Sequence, residues 1–231
     1  MTLVPAPALV LLLVVSLAAK LTLGAVVTGT CSSSTATEFT VSDETAIRNA
    51  FACANARSAL VRINIDSHIV FQDTWDGHSC LFVEDGTKVV VAGVASSRVV
   101  LQPPAGARIL RVLESNQTEV YLQDLVFDSG DRPSAMGGAI HSRGRYLELT
   151  RCTLSRNAAQ RYGGAIMNDA GDSFGGDLVL NECHFNVRFP DIFLPLFFSQ
   201  LTHPTLTHKQ SNSISGDYAG AVYNYGGGAV S

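Results

Sequence analysis

A chain of 231 residues, 46% apolar and 16% charged, is long enough for one elongated domain with a substantial core. Its net charge of -4 and its scarce lysines, Lys20, Lys88 and Lys209, argue against a nucleic-acid binder that depends on phosphate contacts. Aromatic residues at 8%, with Trp75 the one tryptophan, argue against an aromatic sugar-stacking platform.

Residues 1–19 carry no charged side chain, and residues 10–17 are a continuous run of Leu, Val and Ser. That run has the length of a secretory hydrophobic region, so residues 1–24 are expected to be a signal peptide, cleaved near residue 18 or residue 24. A signal anchor is the alternative, but Pro5, Pro7 and Lys20 leave a clean span shorter than the roughly 20 apolar residues of a transmembrane helix. Export makes the protein extracellular or cell-surface and gives its five cysteines an oxidising environment.

Residues 25–58 read as a linker followed by a capping helix. Residues 43–56 have a capping side chain at Ser42 or Asp43, acids in the first turn, and Ile47, Ala50, Phe51 and Ala54 at the spacing of one helical face. Ile47 and Phe51 are expected to plug the N-terminal end of the core. Cys31, Cys53 and Cys80 flank this cap, and any two of them could staple it.

Apolar strand signals follow at residues 60–65, 69–71, 81–83, 88–92, 99–101 and 109–113, broken by Asp76-Gly77, Asp85-Gly86, Pro103-Pro104 and Gly106. No long helical pattern alternates with them, which excludes a doubly wound α/β sheet. Asn116-Gln117-Thr118 is a sequon for N-glycosylation of Asn116, expected in an exposed loop between two strand runs.

From residue 120 the chain repeats. Val120-x-Leu122-x-x-Leu125-x-Phe127 is matched by Leu147-x-Leu149-x-x-Cys152-x-Leu154 and Leu178-x-Leu180-x-x-Cys183-x-Phe185, with 27 residues from Leu122 to Leu149. Alternate apolar residues and then a skip of one describe a strand that faces the core, bends and resumes, so the repeat indicates stacked β coils. Leu122, Leu149 and Leu180 should share one inward column. Leu125, Cys152 and Cys183 should share another, as stacked buried thiols; no CxxC or CxH spacing points to zinc. Gly130 and Asn157 fall five residues after Leu125 and Cys152, as Asn212 does after Cys183 if one long insertion is ignored, and all three are expected to take a left-handed turn. Gly137-Gly138-Ala139-Ile140, Gly163-Gly164-Ala165-Ile166 and Ala219-Gly220-Ala221-Val222 are expected as strands with almost no side chain, allowing close backbone approach. Ser142, Asn168 and Asn224 then mark the next bend.

The stretch Cys152-Thr-Leu-Ser-Arg-Asn157, followed by Ala158-Ala159 and Gly163-Gly164-Ala165-Ile166, resembles the repeat of polymorphic outer membrane proteins, over about half the chain. Those repeats belong to the pectin lyase-like group. The resemblance implies an all-β, right-handed parallel β-helix over residues 59–231, closed by the N-terminal helix, in a bacterial surface protein or a secreted eukaryotic one. It carries over no lyase signature.

Secreted β-helices often cut or epimerise acidic polysaccharides, using carboxylates that hold Ca²⁺ and an Arg or Lys that abstracts a proton. The residue types are present: Asp124, Asp128 and Asp131 form an acidic cluster, and Arg143, Arg145, Arg151, Arg156 and Arg161 a basic one able to bind carboxylates. Against catalysis, no column repeats an Asp, and His141 shares its column with Met167 and Tyr223, as a lone surface histidine would. Charged residues normally lie at the surface, so both clusters read first as solvated turn charges. The leading expectation is a non-catalytic adhesion, wall-associated or display scaffold that needs no cofactor or metal. Its expected partners are an extracellular polysaccharide or a cell-surface protein, not nucleic acid. A polysaccharide lyase or epimerase using Ca²⁺, and a fragment of a larger surface protein, are the alternatives.

Residues 187–210 interrupt the third repeat with four phenylalanines, three prolines and no glycine. Deleting them places Asn212 five positions after Cys183, so they read as a retained intron translated in frame, or as a genuine loop forming a hydrophobic lip. The chain stops soon after Gly226-Gly227-Gly228 with no polar cap, and the open C-terminal coil is expected to pair with another chain.

Overall fold

The computed structural model describes residues 31, 35–95, 98–132, 136–159, 162–169, 176–186, 213–215 and 221–225. The expected signal peptide, the 187–210 insertion, Asn212, Arg161 and the C-terminal glycines lie outside them.

Parallel strands stack into a β-solenoid of about five turns. Strand β1 (Glu38–Val41) and helix α1 (Glu44–Asn55) precede it. The first coil comprises β2 (Leu60–Ile65), β3 (Ile69–Val70) and β4 (Ser79–Val83); β5 (Lys88–Gly93), β6 (Val99–Gln102) and the start of β7 (Arg108–Gln123) make the second. Strand β7 turns a corner into the third coil, which continues through β8 (Leu125–Asp128), β9 (Asp131–Arg132) and the start of β10 (Ile140–Thr150). β10 likewise opens the fourth coil, with β11 (Thr153–Ser155), β12 (Ala158–Ala159) and β13 (Ile166–Asp169). Beyond it lie β14 (Asp177–Asn181), β15 (His184–Asn186), β16 (Ser213–Ser215) and β17 (Val222–Tyr225).

Because β7 and β10 each bend, the pairing builds three faces. The first runs β1-β2-β5-β7-β10-β14, the second β3-β6-β8-β11-β15-β16, and the third β4-β7-β10-β13-β17. Each face sends columns of apolar side chains inward. Ile63, Val91, Leu122, Leu149 and Leu180 line up on the first, as expected for the three leucines. Ile69, Leu101, Phe127, Leu154 and Phe185 do so on the second, and Leu81, Leu110, Ile140 and Ile166 on the third. Cys152 and Cys183 are buried beside this core, and each thiol donates to the carbonyl of the coil below, Leu122 at 3.4 Å and Leu149 at 3.3 Å.

The cap follows from its sequence. Asp43 accepts a hydrogen bond from Ala46 N at 2.8 Å, and Ile47 and Phe51 are fully buried over the first coil. Cys31 and Cys53 are joined as a disulfide that ties the linker to the helix, while Cys80 is a buried free thiol.

Several expectations are corrected. The left-handed turn does not fall on Gly130 and Asn157: positive φ occurs one residue earlier, at Ser129 (58°) and Arg156 (55°), and also at Asp124, Arg151 and Glu182. Asn157 instead reaches back one coil, its Oδ1 accepting from Gly130 N at 2.8 Å and its Nδ2 donating to Phe127 O at 2.9 Å. Gly130 is needed because a Cβ there would stand 2.3 Å from Gly138 O. The Gly-Gly-Ala blocks are turns, not strands: Gly137 and Gly163 have φ of 66° and 61°, and the strands begin at Ile140 and Ile166. The sequon lies within the bend of β7 and not in a loop; Asn116 is exposed, while the Thr118 hydroxyl donates to Glu84 O in the neighbouring coil. Ser213–Ser215 pairs with His184–Asn186 as a further layer of the second face, whereas a clean deletion of residues 187–210 would set it beside Ala158. Val222–Tyr225 does pair with Ile166–Asp169, in the register the repeat requires.

Candidate functional site

The bends that carry positive φ also aim the charged side chains. Asp124 and Arg151 occupy equivalent positions of successive coils, and the Arg151 guanidinium forks onto the carboxylate, Nε to Oδ1 at 2.7 Å and Nη2 to Oδ2 at 2.6 Å. Arg156 grips both oxygens of Asp128 in the same way. The hydrogen bonds from Arg151 hold the Asp124 carboxyl below its usual range. At Asp128 burial pushes upward, but the Arg156 fork and neighbouring hydroxyls prevail and the net shift is downward. Arg143 binds Glu114 at 2.6 Å, and Arg145 is exposed on β10. Asp131 is exposed on β9, where it lines a shallow hollow of about 390 Å³ with Ser129 and Arg156.

The predicted clusters are therefore not a common groove but rungs of a ladder, each aspartate of the two forks answered by the arginine one coil on. Calcium does not fit them. Both oxygens of Asp124 and of Asp128 already accept from guanidinium groups, and among the described residues no three His, Cys, Asp or Glu side chains gather at metal-binding distance.

The outer side of the first face carries a feature that composition argued against. Tyr121 and Tyr146 sit on adjacent coils with ring centroids 5.3 Å apart. Tyr121 donates to Glu119 at 3.1 Å, Tyr146 donates to Glu148 at 2.8 Å, and Lys88 bridges to Glu119 at 2.9 Å. Next to this pair opens a trough of about 420 Å³, with Lys88, Glu119, Tyr121 and Gln123 among its walls. A single tryptophan cannot form a platform, but alternation places Glu119 and Tyr121, then Tyr146 and Glu148, on one side of neighbouring strands. The pattern Glu-x-Tyr followed one coil later by Tyr-x-Glu was the available signal.

His141 is not a surface residue. Its ring is largely buried on the third face, and burial, with the Arg108, Arg111 and Arg143 guanidinium groups, lowers its pKa from 6.5 to about 3. The folded protein thus leaves His141 neutral where the unfolded chain protonates it. Stability should fall as pH drops from about 6.5 towards 3, by about 1.4 kcal/mol per unit in that window. The carboxylates of Asp76, Glu119, Asp124 and Asp128 have depressed values, so their contributions are lost only at pH below about 4. Urea denaturation at pH 4.5 and 6.5 isolates the histidine: His141→Gln should flatten the difference, and an unchanged difference in the variant would refute the assignment.

Fold and surface together define a parallel β-solenoid with ion-pair rungs between coils and a tyrosine–carboxylate outer face. No family model, curated protein or solved structure matches the chain.

Proposed function

We propose that this chain is an exported, non-catalytic β-solenoid that works as an adhesion, wall-associated or display scaffold, and that it binds an extracellular saccharide along its first face. The observation that carries the reading is the Tyr121–Tyr146 pair, hydrogen-bonded to Glu119 and Glu148 on a flat parallel surface. Rings of this kind offer apolar faces to a sugar while the carboxylates accept from its hydroxyls. Export is supported by the apolar N-terminal run and by the Cys31–Cys53 disulfide. The repeat's resemblance to that of polymorphic outer membrane proteins points the same way, as does the accessible sequon at Asn116.

The rival lyase or epimerase needs a base and free carboxylates near one another, and the forks on Asp124 and Asp128 and the low basicity of His141 weigh against it. A glycan array read with and without Ca²⁺, followed by an assay for unsaturated uronate products, tests both. Binding without product, weakened at least tenfold in Tyr121→Ala and Tyr146→Ala, is the expected result. Release of unsaturated products would replace the scaffold reading with the enzymatic one, and binding that survives both substitutions would remove the first face from it.

A further inference from the structure

Guanidinium groups on this molecule are mostly answered by carboxylates or carbonyls, but two buried ones, on β7 and β9, keep N–H groups that are not. Arg108, the first residue of β7, and Arg132, the last of β9, are only 5% and 7% exposed. Arg108 Nε and Nη1 and Arg132 Nε are shut away from solvent with no hydrogen-bond partner. Arg132 Nη1 contacts Gly106 O at 3.1 Å and His78 Nδ1 at 2.9 Å, and the amide of Arg108 donates to His78 O at 2.9 Å, which draws the two arginines to one corner. His141 lies opposite Arg111 in the β7–β10 register, and its Nε2 is also buried without a partner.

The nearby acids are already engaged. Asp76 holds Arg111 at 3.1 Å, Glu114 holds Arg143 at 2.6 Å, and Asp169 stands 4.0 Å from the same arginine. Burial, Arg132 and Arg111 lower the Arg108 pKa to about 10, which still leaves it charged at neutral pH. Among the described residues neither cation has a counterion of its own, and two buried cations with open N–H groups are strongly unfavourable, because an uncompensated charge away from water is costly.

We propose that Arg108 and Arg132 form a binding site for a single oxyanion, a carboxylate, sulfate or phosphate group, with the Nε2–H of His141 as a further donor. The fit is chemical: guanidinium N–H groups converge from two strands, and a neutral imidazole adds a hydrogen bond without adding charge. The burial of both arginines favours one small group over a chain lying along the surface. The site lies on a different face from the tyrosine pair, so either proposal can fail without the other.

Trp75 makes the test direct. It is the only tryptophan, it stacks at 6.4 Å on Phe82, and Phe82 carries the Arg111 guanidinium over its ring at 5.4 Å. Sodium sulfate titrated into the full secreted protein at constant ionic strength, with chloride as the balancing salt, should change Trp75 emission saturably and with one site per chain. Arg108→Gln and Arg132→Gln should each weaken that response at least tenfold, while Arg98→Gln, on a different edge, should not. If Arg108→Gln does not fold, Arg132→Gln alone decides. A second titration with a sulfated oligosaccharide identifies the source: competition assigns the group to a polymer, and its absence assigns a free ion. A response that does not saturate, that chloride reproduces, or that persists in the arginine variants overturns the site.

Discussion

Replacing Gly138 by alanine should cost about 3 kcal/mol, out of proportion to one added methyl group. A Cβ at this position would stand 2.1 Å from Gly164 O, 2.4 Å from Ala158 O and 2.7 Å from Ala158 N. All three obstacles are backbone atoms of the next coil, so no rotamer change relieves them and the coil itself must move. Neighbouring bonds move with it, since Gly138 N donates to Gly163 O and Ala139 N to Ala165 O in that coil. Gly77→Ala is the control: it has a positive φ of 75°, which Gly138 does not, but nothing within 4 Å, so its cost should be about 1 kcal/mol. Urea midpoints for the two variants give the comparison, and equal losses would show that the close approach of the next coil is not what requires glycine at residue 138.

Arg48→Met should detach the N-terminal cap. This arginine is fully buried, yet every direction of its guanidinium is answered: Nε and Nη2 bind Glu44 at 3.0 and 2.7 Å, Nη1 donates to Cys80 O at 2.7 Å, and Nη2 donates to Asp73 O at 2.6 Å. The ring of Phe71 lies beneath it at 5.6 Å. Glu44 in turn accepts from Gln72 N at 2.8 Å, so one side chain pair bolts α1 to the segment between β3 and β4. Removing only the cation leaves two carbonyls and a carboxylate without their donor, a loss of about 3 to 5 kcal/mol. Hydrogen exchange should show α1 and β1 opening before the third and fourth coils do. The double variant Arg48→Met/Glu44→Gln should recover part of the loss. If the double variant is worse than the single by the full cost of a second lesion, the two residues act independently and the bolt is not a unit.

The inward columns could be read from the chain because a period of two, repeated at 27 residues, has no other economical explanation, and stacking then forces Leu122 under Leu149. The cap helix was legible for a similar reason: Asp43, Ile47 and Phe51 all vote for it locally. What failed depended on contacts between distant residues. Arg156, an unfavourable residue for positive φ, takes that turn while its side chain grips Asp128, and Asn157, a residue type suited to the turn, instead makes a pair of hydrogen bonds across the stack. His141 looked like a lone surface residue because its surroundings, Arg108 and Arg111, lie some thirty positions earlier and meet it only through strand pairing. Tyr121 and Tyr146 are hidden by averaging, since a low aromatic fraction says nothing about two rings brought together on one face.

The forks between coils have a consequence for fidelity of assembly. A slip of one residue between β7 and β10 would turn every leucine outward and is rejected by the core itself. A slip of two is the dangerous error, because Leu147 and Leu149 would still face inward and the apolar pattern would register nothing wrong. In that misthreaded state Arg151 no longer meets Asp124, Arg156 no longer meets Asp128, and Asn157 misses both Gly130 N and Phe127 O. The two arginine–aspartate pairs have exposed guanidinium groups and add little stability on their own, whereas the Asn157 bonds are buried. As a set they act as a parity check on a message that the hydrophobic code alone would accept in two frames.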